Sequence, residues 1–217
     1  IKRWFGIAPE EDGAFWAFNL MKYRPLAEYS DGRETTLTGR EADDIYAPID
    51  ILESLGALVA FGADVTVQPA GDPVYDRVAM VRYPSRAAFF DMQRRPDFIE
   101  RHEHKDAGME FTIVFSGLPA GQAQPDPGLG AGALVATVRR FADPANRLAS
   151  DAEGVTRLAT FEVEGVIVGD ERAWHELRFD RVTDLDAHLA AAEGVDEQVV
   201  TVLDEPVIDR IVESVNG

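Results

Sequence analysis

The chain has 217 residues, of which 46% are hydrophobic, and it carries a formal net charge of −18. This size and apolar content are sufficient for one large or two small domains with packed cores. A surface this acidic repels phosphate backbones, which argues against nucleic acid as a partner. The chain has no cysteine, which excludes disulfides, thiolate metal sites and cysteine nucleophiles.

No apolar run approaches the roughly 20 residues that a membrane-spanning helix needs, and no signal-peptide pattern opens the chain. We therefore expect a cytoplasmic protein with no membrane partner. The sequence also lacks a Gly-rich phosphate loop, a nucleophile elbow and a two-His metalloprotease helix. Their absence argues against the common nucleotide-binding and hydrolase functions.

The first half of the chain predicts the element order β-α-β-β-α-β, which is that of a ferredoxin-like unit. Strands are predicted at residues 14–20, 58–67, 77–83 and 110–115, and helices at residues 41–55 and 85–105, the second interrupted at Pro96. Residues 77–83 alternate apolar and polar side chains as a half-buried strand does. Ser85 follows Pro84 as a helix N-cap. The polar connection at residues 22–39 is long enough to indicate a functional loop.

The second half repeats this order more weakly after a segment rich in Gly, Pro and Ala. We predict strands at residues 134–141, 160–168 and 174–179, helices at 144–150 and 184–193, and, from residues 198–202, a final strand or short extension. The chain then divides into an N-terminal ferredoxin-like unit with the candidate site (1–116), a linker (117–132) and a degenerate second unit (133–217). Two such α+β units bury the apolar faces of their sheets against each other, inside one chain or in a homodimer.

Two segments resemble a small uncharacterised ferredoxin-like family of the dimeric α/β-barrel superfamily. They are VRYPSRAAFFDMQRRPDF at residues 81–98 and HKDAG at residues 104–108, and the similarity covers about residues 15–119. Residues 18–24 resemble the family's first strand, and residues 39–42 with Tyr46 resemble the start of its first helix. The chain departs from the family at Phe98, where relatives usually have Tyr, and at Lys105, where they usually have Arg. If that Arg binds an anion, Lys105 keeps the charge and loses the bidentate fork.

The segment ERHEHK contains the residues best suited to chemistry. Each helical residue advances by roughly 100°, so His102 and His104 point apart, whereas Glu100 and His104 share a face. This pair fits a general base oriented by a carboxylate, two ligands of a divalent metal, or an ordinary solvated helix end. We take His104 as the candidate proton-transfer group and Glu100 as its orienting carboxylate, with His102 as a substrate-binding residue.

Other polar residues stand where the predicted strands and the first helix end. We expect Lys22 or Arg82 to anchor a substrate carboxylate or enolate and Asn19 or Tyr46 to donate a hydrogen bond, with Tyr23 a further hydroxyl donor. A satisfied, partly buried tyrosine is the ordinary alternative for both tyrosines.

The chain is therefore expected to be a small-molecule enzyme that uses acid–base chemistry without an organic cofactor. The resemblance implies isomerase, lyase or cofactor-independent oxygenase chemistry, in secondary metabolism or catabolism. A non-catalytic protein that binds a metabolite or a metal is the alternative. Haem is the least favoured cofactor: chlorite dismutases resemble this architecture and bind haem through a His of the C-terminal half, but no motif around His175 or His188 matches theirs.

Overall fold

The computed structural model describes residues 4–143, 153–192, 194–205 and 208–217. Its eight strands form one closed antiparallel barrel in the order β1-β3-β2-β8-β5-β7-β6-β4. The fold is α+β and consists of two tandem ferredoxin-like units, as the sequence predicts. Among the described residues, no helix has the length and apolar character needed to cross a membrane.

The N-terminal unit contributes four strands and four helices. The strands are β1 (Phe15–Tyr23), β2 (Leu58–Ala70), β3 (Arg77–Tyr83) and β4 (Met109–Pro119), and the helices are α1 (Gly39–Tyr46), α2 (Ile49–Ser54), α3 (Arg86–Arg94) and α4 (Pro96–Gly108). The predicted strands 77–83 and 110–115 and the interruption at Pro96 are confirmed. Pro96 is the first residue of α4, where its missing N–H costs no helical hydrogen bond.

The C-terminal unit contributes the other half of the barrel. Its strands are β5 (Ala133–Phe141), β6 (Val155–Val168), β7 (Glu176–Val182) and β8 (Val195–Leu203), and its helices are α5 (Leu185–Ala190) and α6 (Asp209–Asn216). The helix predicted at residues 144–150 lies outside the described residues. The predicted linker, 117–132, begins inside β4 and includes a short 3-10 turn at Leu129–Ala131.

Equivalent registers relate the two halves. Phe15 pairs with Tyr83 in the first unit, and Ala133 pairs with Val182 in the second. In each unit the next turn starts a helix with a side-chain N-cap. The Ser85 side chain accepts a hydrogen bond from the Ala88 amide, and the Asp184 side chain accepts one from the Ala187 amide. The recurring strand-to-helix turn that the sequence predicts is therefore present in both.

The inner face of the barrel holds a core to which both halves contribute. Phe18 packs against Phe161 at 4.9 Å between ring centroids, and Phe61 packs against Phe179 at 5.1 Å. Two seams join the halves, β2 with β8 and β4 with β6. The barrel therefore closes within one chain, the intramolecular case of the two that the sequence left open. The outer face of the sheet is the face opposite this core, and the helices α1 to α5 pack on it.

Two helix predictions need correction. The single helix predicted at residues 41–55 is two helices, because Pro48 disfavours a helical conformation at Ala47, whose φ is −31° and ψ is 98°. The final helix α6 was not predicted. It packs against the barrel core through the buried Ile211, and Ser214 accepts a hydrogen bond from the Trp16 indole at 3.0 Å.

Candidate functional site

A cavity of about 160 Å³ lies between the outer face of the N-terminal sheet and helices α1, α2 and α4. Larger cavities occur elsewhere among the described residues, but this one collects the most convergent polar groups on an apolar lining, which is the usual form of a small-molecule site. Its polar lining is provided by Asn19, Asp43, Asp44, Tyr46, Arg77, Tyr83 and Lys105. We call it the N-terminal cavity.

Lys105 supplies the cavity's most unusual group. It lies in the last turn of α4, and its Nζ is 3.5 Å from Asn19 Oδ1 and 5.1 Å from the centroid of the Tyr46 ring. No carboxylate of the described chain lies within 4 Å of this nitrogen. Burial lowers the pKa of Lys105, and the more distant charges of Asp43 and Asp106 only partly oppose that shift.

On the α1 side the cavity is lined by Asp43 and Tyr46. Burial raises the pKa of Tyr46, as do the neighbouring Tyr83 and Asp43, so its hydroxyl stays protonated and able to donate. Tyr23 donates a hydrogen bond to Asp43 Oδ2 at 2.8 Å. Asp43 lines the cavity, so this bond fixes the position of one of its carboxylate groups.

The second cation of the lining, Arg77, lies among carboxylates. Its Nη1 is 3.8 Å from Asp44 and 3.9 Å from Asp64, and Arg40 also contacts both of these residues. Arg77 is thus compensated by protein groups, whereas Lys105 is not. A bound anion would be attracted chiefly to Lys105.

Of the substrate-binding residues predicted from the sequence, Asn19 and Tyr46 line this cavity. Lys22 does not: its Nζ forms an ion pair with Asp76 at 2.8 Å. Arg82 stands over the Trp16 ring at 5.6 Å. Because β1 and β3 are antiparallel and Trp16 pairs with Arg82, Lys22 and Arg82 lie at opposite ends of β1.

The predicted pair of Glu100 and His104 lies on the side of α4 that faces away from the N-terminal cavity. His104 Nδ1 is 2.7 Å from the Tyr29 hydroxyl, and its Nε2 is 3.9 Å from Glu103. Glu100 is exposed and shares a shallow surface depression with His104. The structure thus pairs His104 with Tyr29 of the loop before α1, and places neither His104 nor Glu100 in the N-terminal cavity.

His102 occupies a third position on α4. It lies 3.3 Å from Asp106 and packs against the rings of Tyr46 and Phe98, at 5.5 and 5.3 Å between centroids. Its contact with Tyr46 supports one wall of the cavity. His102 itself is not among the cavity's lining residues.

Possible ligands of a metal ion or of haem are the remaining candidates from the sequence. Within the part of the chain that the structure describes, no three His, Asp or Glu side chains are grouped as metal ligands. His188 is 2% exposed with Nε2 at 3.3 Å from Thr137 Oγ1, and His175 Nδ1 accepts a hydrogen bond from the Phe141 amide. Each of these imidazoles contacts a protein group through one ring nitrogen.

Sequence reasoning did not select Lys105 as a site residue and treated it only as a departure from a family pattern. Two signals point to it. The chain contains only three lysines, so a lysine in this arginine-rich sequence is unusual. Lys105 also stands four residues after Arg101, on the face of α4 that meets α1 and α2, where Arg101 binds Asp50 at 2.6 Å.

No protein-family model matches the chain, and no curated protein matches it. Among solved structures, it is similar to methylated RPA0582, a protein of unknown function from Rhodopseudomonas palustris. The identity is 34%, over 48% of this chain and 79% of that chain, with a TM-score of 0.45.

The chain is also similar to chlorite dismutase from Candidatus Nitrospira defluvii in complex with imidazole. Here the identity is 10%, over 95% of this chain and 97% of that chain, with a TM-score of 0.47. These similarities identify no reaction for this chain. The description of its fold rests on the strand order and registers given above.

Proposed function

We propose that this protein is an enzyme that acts on a small organic molecule by acid–base chemistry in the N-terminal cavity. The observation that carries the proposal is Lys105, a partly buried residue of the cavity wall whose ammonium group has no carboxylate partner within 4 Å among the described residues. Buried charges are normally paired, and an unpaired one with a shifted pKa in a cavity is typical of a functional group. We propose no organic cofactor for the reaction.

The chemistry follows from the lowered pKa of Lys105. A larger fraction of this lysine is neutral near pH 7 than of an exposed lysine, so its amine accepts a proton from carbon beside a carbonyl group. The resulting ammonium ion stabilises the enolate oxygen, and Tyr46 donates a hydrogen bond to it. Return of the proton at another position completes an isomerisation, and expulsion of a leaving group completes an elimination.

In this proposal Asn19 positions the amine of Lys105. Its Oδ1 lies 3.5 Å from Lys105 Nζ, the outer limit of a hydrogen bond, so the amide oxygen orients the amine without neutralising it. This contact leaves the amide nitrogen of Asn19 to donate to a ligand. The substrate class is therefore a small ketone or oxo acid with an exchangeable α-proton.

His104 with Glu100 remains the other proposed location for proton transfer. Its support is the hydrogen bond between Tyr29 and His104 Nδ1, which fixes the ring. A binding protein that holds a metabolite without converting it is the alternative from a different class. We further propose that the N-terminal unit belongs to the uncharacterised family it resembles and that the protein is cytoplasmic. The closed barrel leaves a homodimer possible without requiring one.

Exchange of substrate protons with D₂O tests the proposal before any product is known. A panel of oxo acids and enolisable ketones is incubated with the protein in D₂O, and loss of the α-proton signal is followed by NMR. We expect the protein to accelerate exchange for one member, and Lys105→Met to lose about 10²-fold or more of that rate. Lys22→Met is the matched control, because its ion pair with Asp76 lies outside the cavity, and it should keep the rate.

Two further variants separate the alternatives. Lys105→Arg keeps the charge and cannot accept a proton, so we expect it to bind the substrate and not exchange it. His104→Ala should keep the exchange rate if Lys105 is the base. Loss of exchange in His104→Ala with full exchange in Lys105→Met would move the reaction to the His104 site, and binding without exchange in the parent protein would indicate a binding protein.

A further inference from the structure

The outer face of the C-terminal sheet is polar and buried, which is unusual for a sheet face covered by a helix. Leu134, Ala136 and Val138 of β5 point into the barrel core, and the residues between them point outward. Thr137 and Arg139 of β5 and Arg178 and Asp180 of β7 are each between 0% and 2% exposed. Charged side chains are seldom buried this deeply without a functional or paired role.

Strand register places these outward groups side by side. Thr137 pairs with Arg178, and Arg139 pairs with Glu176 on β7 and Gln198 on β8. Residues on one face of neighbouring strands lie about 5 Å apart, within reach of long polar side chains. These residues therefore form a polar cluster on part of the outer face, beside the apolar cluster of Val135, Val182 and Val200.

Arg139 is the member of this cluster whose charge is least compensated. Its closest carboxylate oxygen is Glu176 Oε1, 4.0 Å from Nη1, and its Nε and Nη1 have no hydrogen-bond partner in the described part of the chain. Arg178, by contrast, donates to Asp180 Oδ1 at 3.0 Å. A guanidinium group that is 2% exposed and has two unsatisfied nitrogens carries a desolvation cost that a bound acceptor would relieve.

The electrostatics of Arg139 agree with its geometry. Burial, followed by the neighbouring charge of Arg178, lowers the pKa of Arg139 to about 10. A further negative charge beside it would oppose this shift, as Glu176 and Asp180 already do in part.

A hydroxyl group and an imidazole lie next to Arg139 on the same face. His188 of α5 is 2% exposed, and its Nε2 is 3.3 Å from Thr137 Oγ1. Thr137 is two residues before Arg139 on β5, so its side chain is the next one on the outer face. Together the three side chains offer the guanidinium group of Arg139 and two further hydrogen-bonding groups.

The position corresponds to the N-terminal cavity in the other half. The paired registers of β1–β3 and β5–β7 make Thr137 the equivalent of Asn19, and Arg139 the equivalent of Met21. Asn19 and Met21 both line the N-terminal cavity. The polar cluster of the C-terminal half therefore occupies the part of its sheet that is equivalent to the sheet wall of the N-terminal cavity, and the residues at these positions differ.

A cavity lies next to the cluster. It has a volume of about 300 Å³, and its polar lining consists of Gln122, Gln124, Arg157, Thr160, Glu162 and Glu176. Glu176 connects this cavity to the polar cluster, because it lines the cavity and is the closest carboxylate to Arg139.

We propose that the outer face of the C-terminal sheet is a second ligand site, which takes a small molecule carrying a carboxylate group bound by Arg139. Thr137 and His188 hydrogen bond the same ligand. A carboxylate fits better than a phosphate, because Glu176, Asp180 and Glu162 lie on the same face and a dianion would be repelled. This site does not depend on the function proposed for Lys105.

The test measures carboxylate binding in the Lys105→Met background, so that the N-terminal cavity does not contribute. The probes are benzoate and acetate, each titrated at constant ionic strength against chloride, and the readout is the melting temperature. We expect at least one carboxylate to raise it in a saturable manner. Adding Arg139→Met should weaken the apparent affinity by about tenfold or more, because a charged hydrogen bond is lost.

Arg140→Met is the matched control, because Arg140 is ion-paired with Asp196 at 2.6 Å and should leave the affinity unchanged. Without a probe, Arg139→Met should be at least as stable as its parent, since an incompletely paired buried charge is removed. Three results would overturn the proposal: no carboxylate effect, an equal effect with Arg139→Met, or stabilisation by inorganic phosphate alone. Strong destabilisation by Arg139→Met without a probe would assign Arg139 a structural role instead.

Discussion

At the scale of single residues, the buried ammonium group of Lys105 should reduce stability near neutral pH. Burial lowers its pKa below the ordinary value of 10.5, so the unfolded chain binds this proton more tightly than the folded protein does. The resulting penalty is complete below the lowered pKa and disappears as the pH rises towards 10.5. We expect Lys105→Met to raise the free energy of unfolding at pH 7 and to differ less from its parent at pH 10.

Urea denaturation at the two pH values measures this difference, and Lys22→Met provides a control of opposite sign. The Lys22 and Asp76 side chains are 29% and 36% exposed and their ion pair spans 2.8 Å, so its loss should cost up to about 1 kcal/mol. A Lys105→Met protein that is less stable than its parent at pH 7 would contradict the prediction. So would a difference that does not change with pH.

Sequence reasoning identified two lining residues of the N-terminal cavity, and it also placed there two residues that lie elsewhere in the structure. Asn19 and Tyr46 were predicted as ligand groups, and both line the cavity. Lys22 and Arg82 were grouped as alternative anchors at the same place because each stands near a strand end. Strand ends predict proximity only when the register is known, and here the antiparallel pairing puts the two residues at opposite ends of β1.

At the scale of elements, the contact between α1 and α4 depends on two glycines. A Cβ on Gly108 would lie 2.4 Å from the Gly39 carbonyl oxygen and 3.2 Å from Ala42 Cβ. We expect Gly108→Ala to destabilise the protein by about 1–3 kcal/mol through overpacking. Asp43 and Tyr46 on α1 and Lys105 on α4 would move with their helices, so ligand affinity in the N-terminal cavity should fall as well.

The midpoint of urea denaturation measures the cost of Gly108→Ala. Gly130→Ala is the control, because a Cβ there meets no atom within 4 Å and the residue does not have the positive φ that disfavours alanine. An unchanged midpoint for Gly108→Ala would show that the two helices separate without cost. The prediction would then fail.

Local signals in the sequence predicted most elements, whereas an element that depends on long-range contacts was not predicted. Ser85 and Asp184 mark helix starts through short-range hydrogen bonds that a sequence shows directly. Pro48 also breaks its helix for a local reason, and that signal was overlooked. Helix α6, by contrast, is held by long-range contacts such as the Trp16–Ser214 hydrogen bond, which no local pattern indicates.

At the scale of the whole molecule, the weak second repeat predicted the number of strands but not how the barrel closes. An exposed apolar sheet face needs a second sheet, and either the other half or another copy of the chain supplies one. The choice is made by the seams β2–β8 and β4–β6 and by ring contacts across the core. These contacts join residues more than 40 positions apart, where sequence patterns carry little information.

This closure predicts the behaviour of the N-terminal half alone. A fragment of residues 4–122 would lose both seams, leaving β2 and β4 as unpaired edges and the inner face with Phe18 and Phe61 uncovered. Exposed edges and apolar faces favour pairing with another copy, so we expect the fragment to form a homodimer. Light scattering coupled to gel filtration measures its mass, and residues 133–217 added at equal concentration should compete with the dimer by restoring the native seams. A fragment that is folded and monomeric would show that the N-terminal unit is stable without a second sheet, and that the barrel is not the unit that folds.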